Sequence, residues 1–181
     1  MFGWVSPDMR VNSVLDLTVE ELSRRRLRGL LLDVDCTLKD HGATEFRAEV
    51  AAWIDGLRGA DVRMCLLSNG RPQRIERLAK LLDVPFVAQA MKPWPRGCHA
   101  GVRCCGLPAD EVAVVGDQLF ADILAGRLAG LFTILVTPTS TIEPWFTRLK
   151  RPLERPVLSW LDRRDQRTGS TAINSNENHI P

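Results

Sequence analysis

The stretch Gly29-Leu30-Leu31-Leu32-Asp33-Val34-Asp35-Cys36-Thr37 passes from an unbroken apolar run straight into two acids. A strand with one wet face alternates apolar and polar residues. A strand that is apolar at every position is buried on both faces, as in a parallel sheet covered by helices. Gly29 to Val34 is therefore expected to be a buried strand, with its acids exposed at the carboxyl tip.

Working outward, the same pattern recurs. Val62 to Leu67 is a second apolar run, stopped by Ser68-Asn69-Gly70, and Pro85-Phe86-Val87 leads into a short strand. Glu111 to Val115 closes on Gly116-Asp117, and Leu131 to Val136 is a further strand. Between them lie helical periodicities: Phe46, Val50, Trp53, Ile54 and Leu57 up to Gly59; Ile75, Leu78, Ala79 and Leu82; Gly97 to Cys105 before Gly106; and Leu119 to Leu128 before Gly130. Thr18 followed by Glu21 is a capping-box pattern, which predicts a short helix from Val19 to about Arg26. Strand and helix alternating at this pitch imply an α/β fold, a doubly wound, Rossmann-like parallel sheet. Residues 1–28 read as an N-terminal segment with one short helix, opened by Phe2, Trp4 and Pro7 and packed on the core. Residues 29–162 read as the main domain and 163–181 as a disordered tail, where apolar residues almost vanish.

Bulk properties narrow the classes of function. The 181 residues suffice for one well-filled domain, and 45% hydrophobic with 25% charged residues is a soluble composition. A net charge of +2 does not point to nucleic acid. Arg24, Arg25, Arg26 and Arg28 form one basic cluster, and Arg148, Lys150, Arg151 and Arg155 form another. Such runs are most often solvated faces; contact with anionic headgroups is the sharper reading. The five cysteines show no C-x-x-C pair, which argues against zinc. An odd cysteine count and no signal-peptide pattern lead us to expect a cytoplasmic protein. No apolar stretch is long enough for a membrane span, so membrane contact is expected to be peripheral, on the inner surface.

In a doubly wound sheet, ligands sit beyond the carboxyl ends of the strands. Asp33 and Asp35, Ser68 and Asn69, and Asp117 all fall at such ends. Lys92 lies in the loop after the Val87 strand, and Asp122 comes five residues after Asp117. Four carboxylates on one rim repel unless a cation lies between them, and an all-oxygen site beside a lysine suits Mg²⁺. Asp33 is then placed to attack phosphorus and carry an aspartyl-phosphate. Asp35 is placed to protonate the leaving oxygen and later deprotonate water. Lys92 and the cation neutralise charge, while the Ser68 hydroxyl and backbone N–H groups hold phosphoryl oxygens.

Asp33-Val34-Asp35-Cys36-Thr37, Ser68-Asn69, Lys92-Pro93 and Gly116-Asp117-Gln118-Leu119-Phe120-Ala121-Asp122 together resemble the four ordered motifs of the haloacid dehalogenase (HAD) superfamily. The resemblance implies Asp33 as nucleophile, Asp35 as acid and base, and Lys92 restraining the charged centre. It also implies phosphate contacts at Thr37, Ser68 and Asn69. The metal ligands implied are Asp33, the Asp35 backbone carbonyl, Asp117 and Asp122. From about Pro7 to Leu161 the chain is most similar to the YqeG-like branch of subfamily IIIA, which includes phosphatidylglycerophosphate phosphatases. That likeness is carried by Gly29 to Asp33, Ala90-Met91-Lys92-Pro93, Gly116 to Phe120 and Ala129 to Val136. The chain departs from the branch at Cys36, where asparagine is usual, at Gly126-Arg127-Leu128, where Gly-Asn-Arg is usual, and at Gly70, where a polar residue is frequent.

Many phosphatases of this superfamily close a cap domain over small substrates. Here 30 residues separate Thr37 from Ser68, and 23 separate Ser68 from Lys92. One helix and one strand consume most of each gap, so no cap is expected and the site should be open. An open site suits a phosphate displayed on a large object, such as a phospholipid headgroup at an anionic membrane surface. The leading expectation is hydrolysis of phosphatidylglycerophosphate to phosphatidylglycerol. The alternatives are a phosphatase of a soluble phosphomonoester or nucleic-acid end, and a non-catalytic Mg²⁺-binding module. Asp40 and His41 read as loop residues, Cys36, between catalytic positions of the first motif, and Cys65 as small buried thiols, and Trp53 as core. Trp145, Phe146 and Trp160 read as packing for a last helix or as an interfacial belt.

Overall fold

The computed structural model describes residues 6–139. Phe2, Trp4, the second basic cluster, Trp145, Phe146, Trp160 and the expected tail lie outside the described residues.

Six parallel strands form one sheet in the order β1-β6-β5-β2-β3-β4. They are β1 (Met9–Val11), β2 (Gly29–Leu32), β3 (Arg63–Leu67), β4 (Phe86–Val87), β5 (Val112–Gly116) and β6 (Phe132–Val136). The continuous apolar runs occupy the middle of the sheet: every residue of β2 and β5 is buried. Successive residues still face opposite layers. Leu30 and Leu32 join the core beneath α1 (Val19–Arg24), α2 (Ala48–Gly59) and α3 (Pro72–Leu82). Leu31 faces the other layer, with Cys98 and Cys105 of α4 (Arg96–Cys105) and Ala125 of α5 (Leu124–Leu128). Helices thus cover both faces, as expected from unbroken apolar strands. Gly101 lets α4 lie close to β2, because a Cβ there would press on the Leu31 side chain.

Local chemistry sets the helix ends. Thr18 Oγ1 accepts from the Glu21 N–H at 3.3 Å and starts α1. Pro72 opens α3, where its missing N–H has no partner to lose. Gly106, at φ +66°, ends α4 in the left-handed conformation. The segment between Thr37 and Ser68 holds only a loop, α2 and β3, so no cap domain is inserted there.

Two features differ from the sequence expectation. First, the segment before residue 29 supplies a sixth strand. Met9 pairs with Ile134 and Val11 with Val136. Three residues, partly buried, carry no apolar run to read. The strand is held from outside its own pattern: Asp8 Oδ2 accepts from the Thr133 N–H at 2.9 Å and its hydroxyl at 2.8 Å, and Oδ1 pairs with Arg127 at 2.9 Å. Second, the single helix expected over Leu119 to Leu128 is divided. Leu119–Ile123 is a wide π-turn, with the Asp122 and Ile123 N–H groups both donating to the Gln118 carbonyl, and regular helix begins only at Leu124.

Replacing Asp8 should remove three interactions that dock β1. Asp8→Ala is expected to destabilise the fold by about 1–3 kcal/mol, seen as a lower urea midpoint with an unchanged m-value. An unchanged midpoint would show that β1 docks without this carboxylate.

Candidate active site

Consecutive strands on one side of β2 connect toward β3 and β4, whereas β5 connects the opposite way, to β6. The crevice between the carboxyl ends of β2 and β5 is therefore the topological switch point, where α/β sheets bind ligands. Asp117, Asp33 and Ser68 follow three adjacent strands, β5, β2 and β3, and so stand side by side there. Asp33 is tied into the sheet by its N–H, which donates to the Val115 carbonyl at 2.9 Å.

Lys92 arrives from the loop after β4. Its Nζ donates to Asp33 Oδ1 at 2.5 Å, Asp122 Oδ1 at 2.5 Å and the Leu67 carbonyl at 2.9 Å. Asn69 fixes the loop: Oδ1 accepts from the Lys92 N–H at 2.8 Å and Nδ2 donates to the Lys92 carbonyl at 3.1 Å. The residue expected at the substrate phosphate is thus engaged with the backbone of Lys92. Asp122 is delivered by the π-turn, and its Oδ2 accepts from the Gln118 N–H at 3.1 Å. A Cβ at Gly116 would overlap the Asp122 carboxylate, so only glycine lets that acid reach the crevice. Thr37, fully buried, donates to Asp117 Oδ1 at 3.4 Å. Ser68 Oγ accepts from the Gly70 N–H at 3.1 Å and shapes the turn after β3.

Oxygens of Asp33, Asp117 and Asp122 lie within 4.8 Å of one another. Burial, against the pull of Lys92, and repulsion by Asp122 raise Asp33 to about 7. Burial and the neighbouring Asp33 and Asp122 raise Asp117 to about 8. Burial alone would lower the Lys92 ammonium, but the Asp122 and Asp33 carboxylates outweigh it and raise it. With all three carboxylates ionised, one ammonium leaves two negative charges in excess, so the donor set fits a divalent cation with oxygen preference.

Asp35 stands apart from this cluster in its partners. Arg74 donates to both of its oxygens, at 2.9 and 2.5 Å, and Lys39 Nζ donates to Oδ1 at 3.0 Å. Burial pushes its carboxyl up, yet the hydrogen bonds from Arg74 and Lys39 prevail and hold it below the ordinary range. Lys39, only 1% exposed, also donates to the Asp40 carbonyl at 3.1 Å. Sequence reading missed both cations. The spacing of Lys39, four residues beyond Asp35, was the available signal; nothing local marked Arg74. The loop that carries them is tight: the Cys36 N–H donates to the Lys39 carbonyl at 2.8 Å, and Cys36 sits at φ 62°. Asparagine, which the resemblance leads one to expect here, tolerates that left-handed geometry better than most residues. Cys36 and Cys65 are buried, Asp40 and His41 are exposed, and Trp53 packs while donating from Nε1 to the Leu17 carbonyl at 2.9 Å.

The sequence profile of the haloacid dehalogenase-like hydrolases matches residues 11–130. The probable phosphatase YqeG of Bacillus subtilis is 30% identical over 158 residues, which are 87% of this chain and 92% of that protein. The chloroplastic phosphatidylglycerophosphate phosphatase 1 of Chlamydomonas reinhardtii is 27% identical over 82% of this chain and 59% of its own length. Among solved structures, hypothetical protein XCC2798 of Xanthomonas campestris superposes with a TM-score of 0.51 at 21% identity, covering 77% of this chain and 79% of that one.

The raised carboxyls give stability a definite pH sign. Groups whose pKa is higher folded than unfolded stabilise the fold below their unfolded value, near pH 4, and lose that contribution as pH rises through about 7 for Asp33 and about 8 for Asp117. A divalent cation replaces those protons. The rise in melting temperature on adding Mg²⁺ should therefore grow as pH increases from about 5.5 to 8.5, and shrink in Asp117→Asn. A shift independent of pH would place the cation elsewhere.

Proposed function

This chain belongs to the haloacid dehalogenase-like hydrolase family and is a phosphoric monoester hydrolase, and from that premise we propose that it dephosphorylates phosphatidylglycerophosphate with Mg²⁺ as its metal. The observation that carries the reading is Asp33 itself, held at the switch point against Lys92, with no cap inserted between the motifs among the described residues.

Asp33, Asp117 and Asp122, with the Asp35 backbone carbonyl, would hold the cation, which when bound neutralises phosphate charge and leaves positions for phosphoryl oxygens. The chain's own groups do the rest. Asp33 Oδ attacks phosphorus, the bond from phosphorus to the alcohol oxygen breaks, and Asp35 supplies a proton to that oxygen. Asp35 then takes a proton from water, whose oxygen attacks the aspartyl-phosphate and releases inorganic phosphate, regenerating Asp33. In the structure Asp35 is held in the ionised form suited to the second half. Donation in the first half calls for Arg74 to loosen its fork as substrate arrives. Ser68 Oγ accepts from Gly70, so its own proton is the group offered to a phosphoryl oxygen. Thr37 and Asn69 act one step back, on Asp117 and on the Lys92 backbone. Two relatives named phosphatidylglycerophosphate phosphatases, each 27% identical, support the lipid as substrate, as does the open rim.

Phosphate release from phosphatidylglycerophosphate in mixed micelles should require Mg²⁺ and fall about a thousandfold or more in Asp33→Asn. Faster turnover of soluble phosphomonoesters or nucleic-acid ends would replace the lipid as substrate, and activity unchanged in Asp33→Asn would make the site a binding module. Arg74→Ala should raise the pKa of Asp35, moving the limb of the pH–rate profile that Asp35 sets toward higher pH. A profile that did not move would separate Arg74 from the proton transfer.

A further inference from the structure

Most large apolar side chains of the described residues are packed. Two that are not stand on the same short turn: Met91 is 61% exposed and Trp94 64% exposed. Both flank Lys92, whose side chain points the other way into the carboxylate cluster. The Trp94 N–H donates to the Met91 carbonyl at 2.9 Å and closes the turn. Asn69 brackets its Lys92 peptide, and the Ala90 N–H donates to the Ser68 carbonyl at 3.0 Å. The backbone is thus fastened to the crevice while its two largest side chains are displayed outward on the rim.

The exposed charge next to the turn is basic. No aspartate or glutamate occurs in residues 69–75 or 84–109; of the cations these segments carry, Arg74 and Lys92 are paired with carboxylates of the crevice and Arg103 is in the last turn of α4, which leaves Arg71 and Arg96 beside the turn. Arg71 and Arg96 are exposed, at the starts of α3 and α4, on the same end of the sheet as the turn. Of the acids at that end of the sheet, Asp33, Asp35, Asp117 and Asp122 lie in the crevice, and Asp40 and Glu45 are exposed on the loop after β2. A tryptophan and a methionine displayed beside uncompensated arginines match the two parts of an anionic membrane surface, an acyl boundary under negative headgroups.

We propose that the Met91–Trp94 turn seats this rim in the headgroup layer of an anionic bilayer, bringing the crevice to phosphates displayed there. The lipid-substrate reading supplies the purpose of the docking; the docking is tested separately from it.

The full chain should co-sediment with phosphatidylcholine vesicles containing about one third phosphatidylglycerol, and less with phosphatidylcholine alone. Met91→Ser with Trp94→Ser should weaken that partitioning about tenfold or more, since two apolar side chains no longer enter the interface. The same variant should lose turnover of vesicle-borne phosphatidylglycerophosphate by a similar factor. Its turnover of p-nitrophenyl phosphate and its melting temperature should not change, which also shows that it folds. Wild-type partitioning through this turn without lipid hydrolysis would support the docking and sink the lipid substrate. Equal partitioning of variant and wild type would overturn the docking, even if the lipid were hydrolysed. So would a wild type that ignores anionic vesicles; the turn would then be a face for a protein partner.

Discussion

One ammonium holds the site together. Lys92 Nζ sits 2.5 Å from both Asp33 and Asp122, and none of the three is more than 8% exposed. Without it, three carboxylates would share one crevice with no cation of the chain's own among them, and each ionisation would oppose the next. With it, the fully ionised cluster is still short by two positive charges, and protons stay on Asp33 to about pH 7 and on Asp117 to about pH 8. A divalent cation that took the place of those protons would meet the deficit. Much of the surrounding structure serves this one placement. Asn69 fixes the backbone of Lys92, the π-turn carries Asp122 inward, Gly116 leaves room for that acid, and Thr37 braces Asp117.

The central architecture was legible because it follows from burial. Unbroken apolar runs can be stable only inside a covered sheet, so Gly29–Leu32 and Val112–Gly116 announced their position, and the acids just beyond them announced the crevice. β1 escaped notice because three residues hold no period; its place depends on Asp8 meeting Thr133 and Arg127, more than 100 residues along the chain. The π-turn escaped because its apolar residues satisfy an ordinary helical period, and the extra residue per turn is set by hydrogen bonds to Gln118. Lys39 and Arg74 were invisible for a different reason. A lysine after a loop motif, and an arginine on an amphipathic helix, look like solvated charges until the fold aims them at one carboxylate.

These two hidden cations set two acids of the same motif apart. Asp33 and Asp35 are two residues apart, yet burial and carboxylate neighbours raise one while Arg74 and Lys39 lower the other. Separation of this kind is how adjacent carboxyls take different roles in one reaction. The low member accepts a proton readily and gives one reluctantly. Lys39 is fully buried and fixed, whereas the Arg74 side chain is 38% exposed and free to respond to an arriving phosphate. A fork that leaves Asp35 for a substrate oxygen would release the acid in the step that needs it. Substrate binding and acid strength would then be linked through one guanidinium.

An uncapped crevice poses a physical problem that a capped one does not. A cap excludes water and orients a small substrate by enclosing it. Among the described residues the loops at this end of the sheet are short and already committed to holding the carboxylates and Lys92, so under the proposed function both roles fall to whatever carries the phosphate. A bilayer can supply both at once. It shields one side of the crevice with headgroups, and it confines the substrate to a plane in which few orientations remain to be lost. For that to work, the surface contact must be rigidly related to the nucleophile. The Met91–Trp94 turn meets this requirement: the same four residues that display two apolar side chains outward carry the lysine that touches Asp33. On this reading, the membrane takes the place of the missing domain.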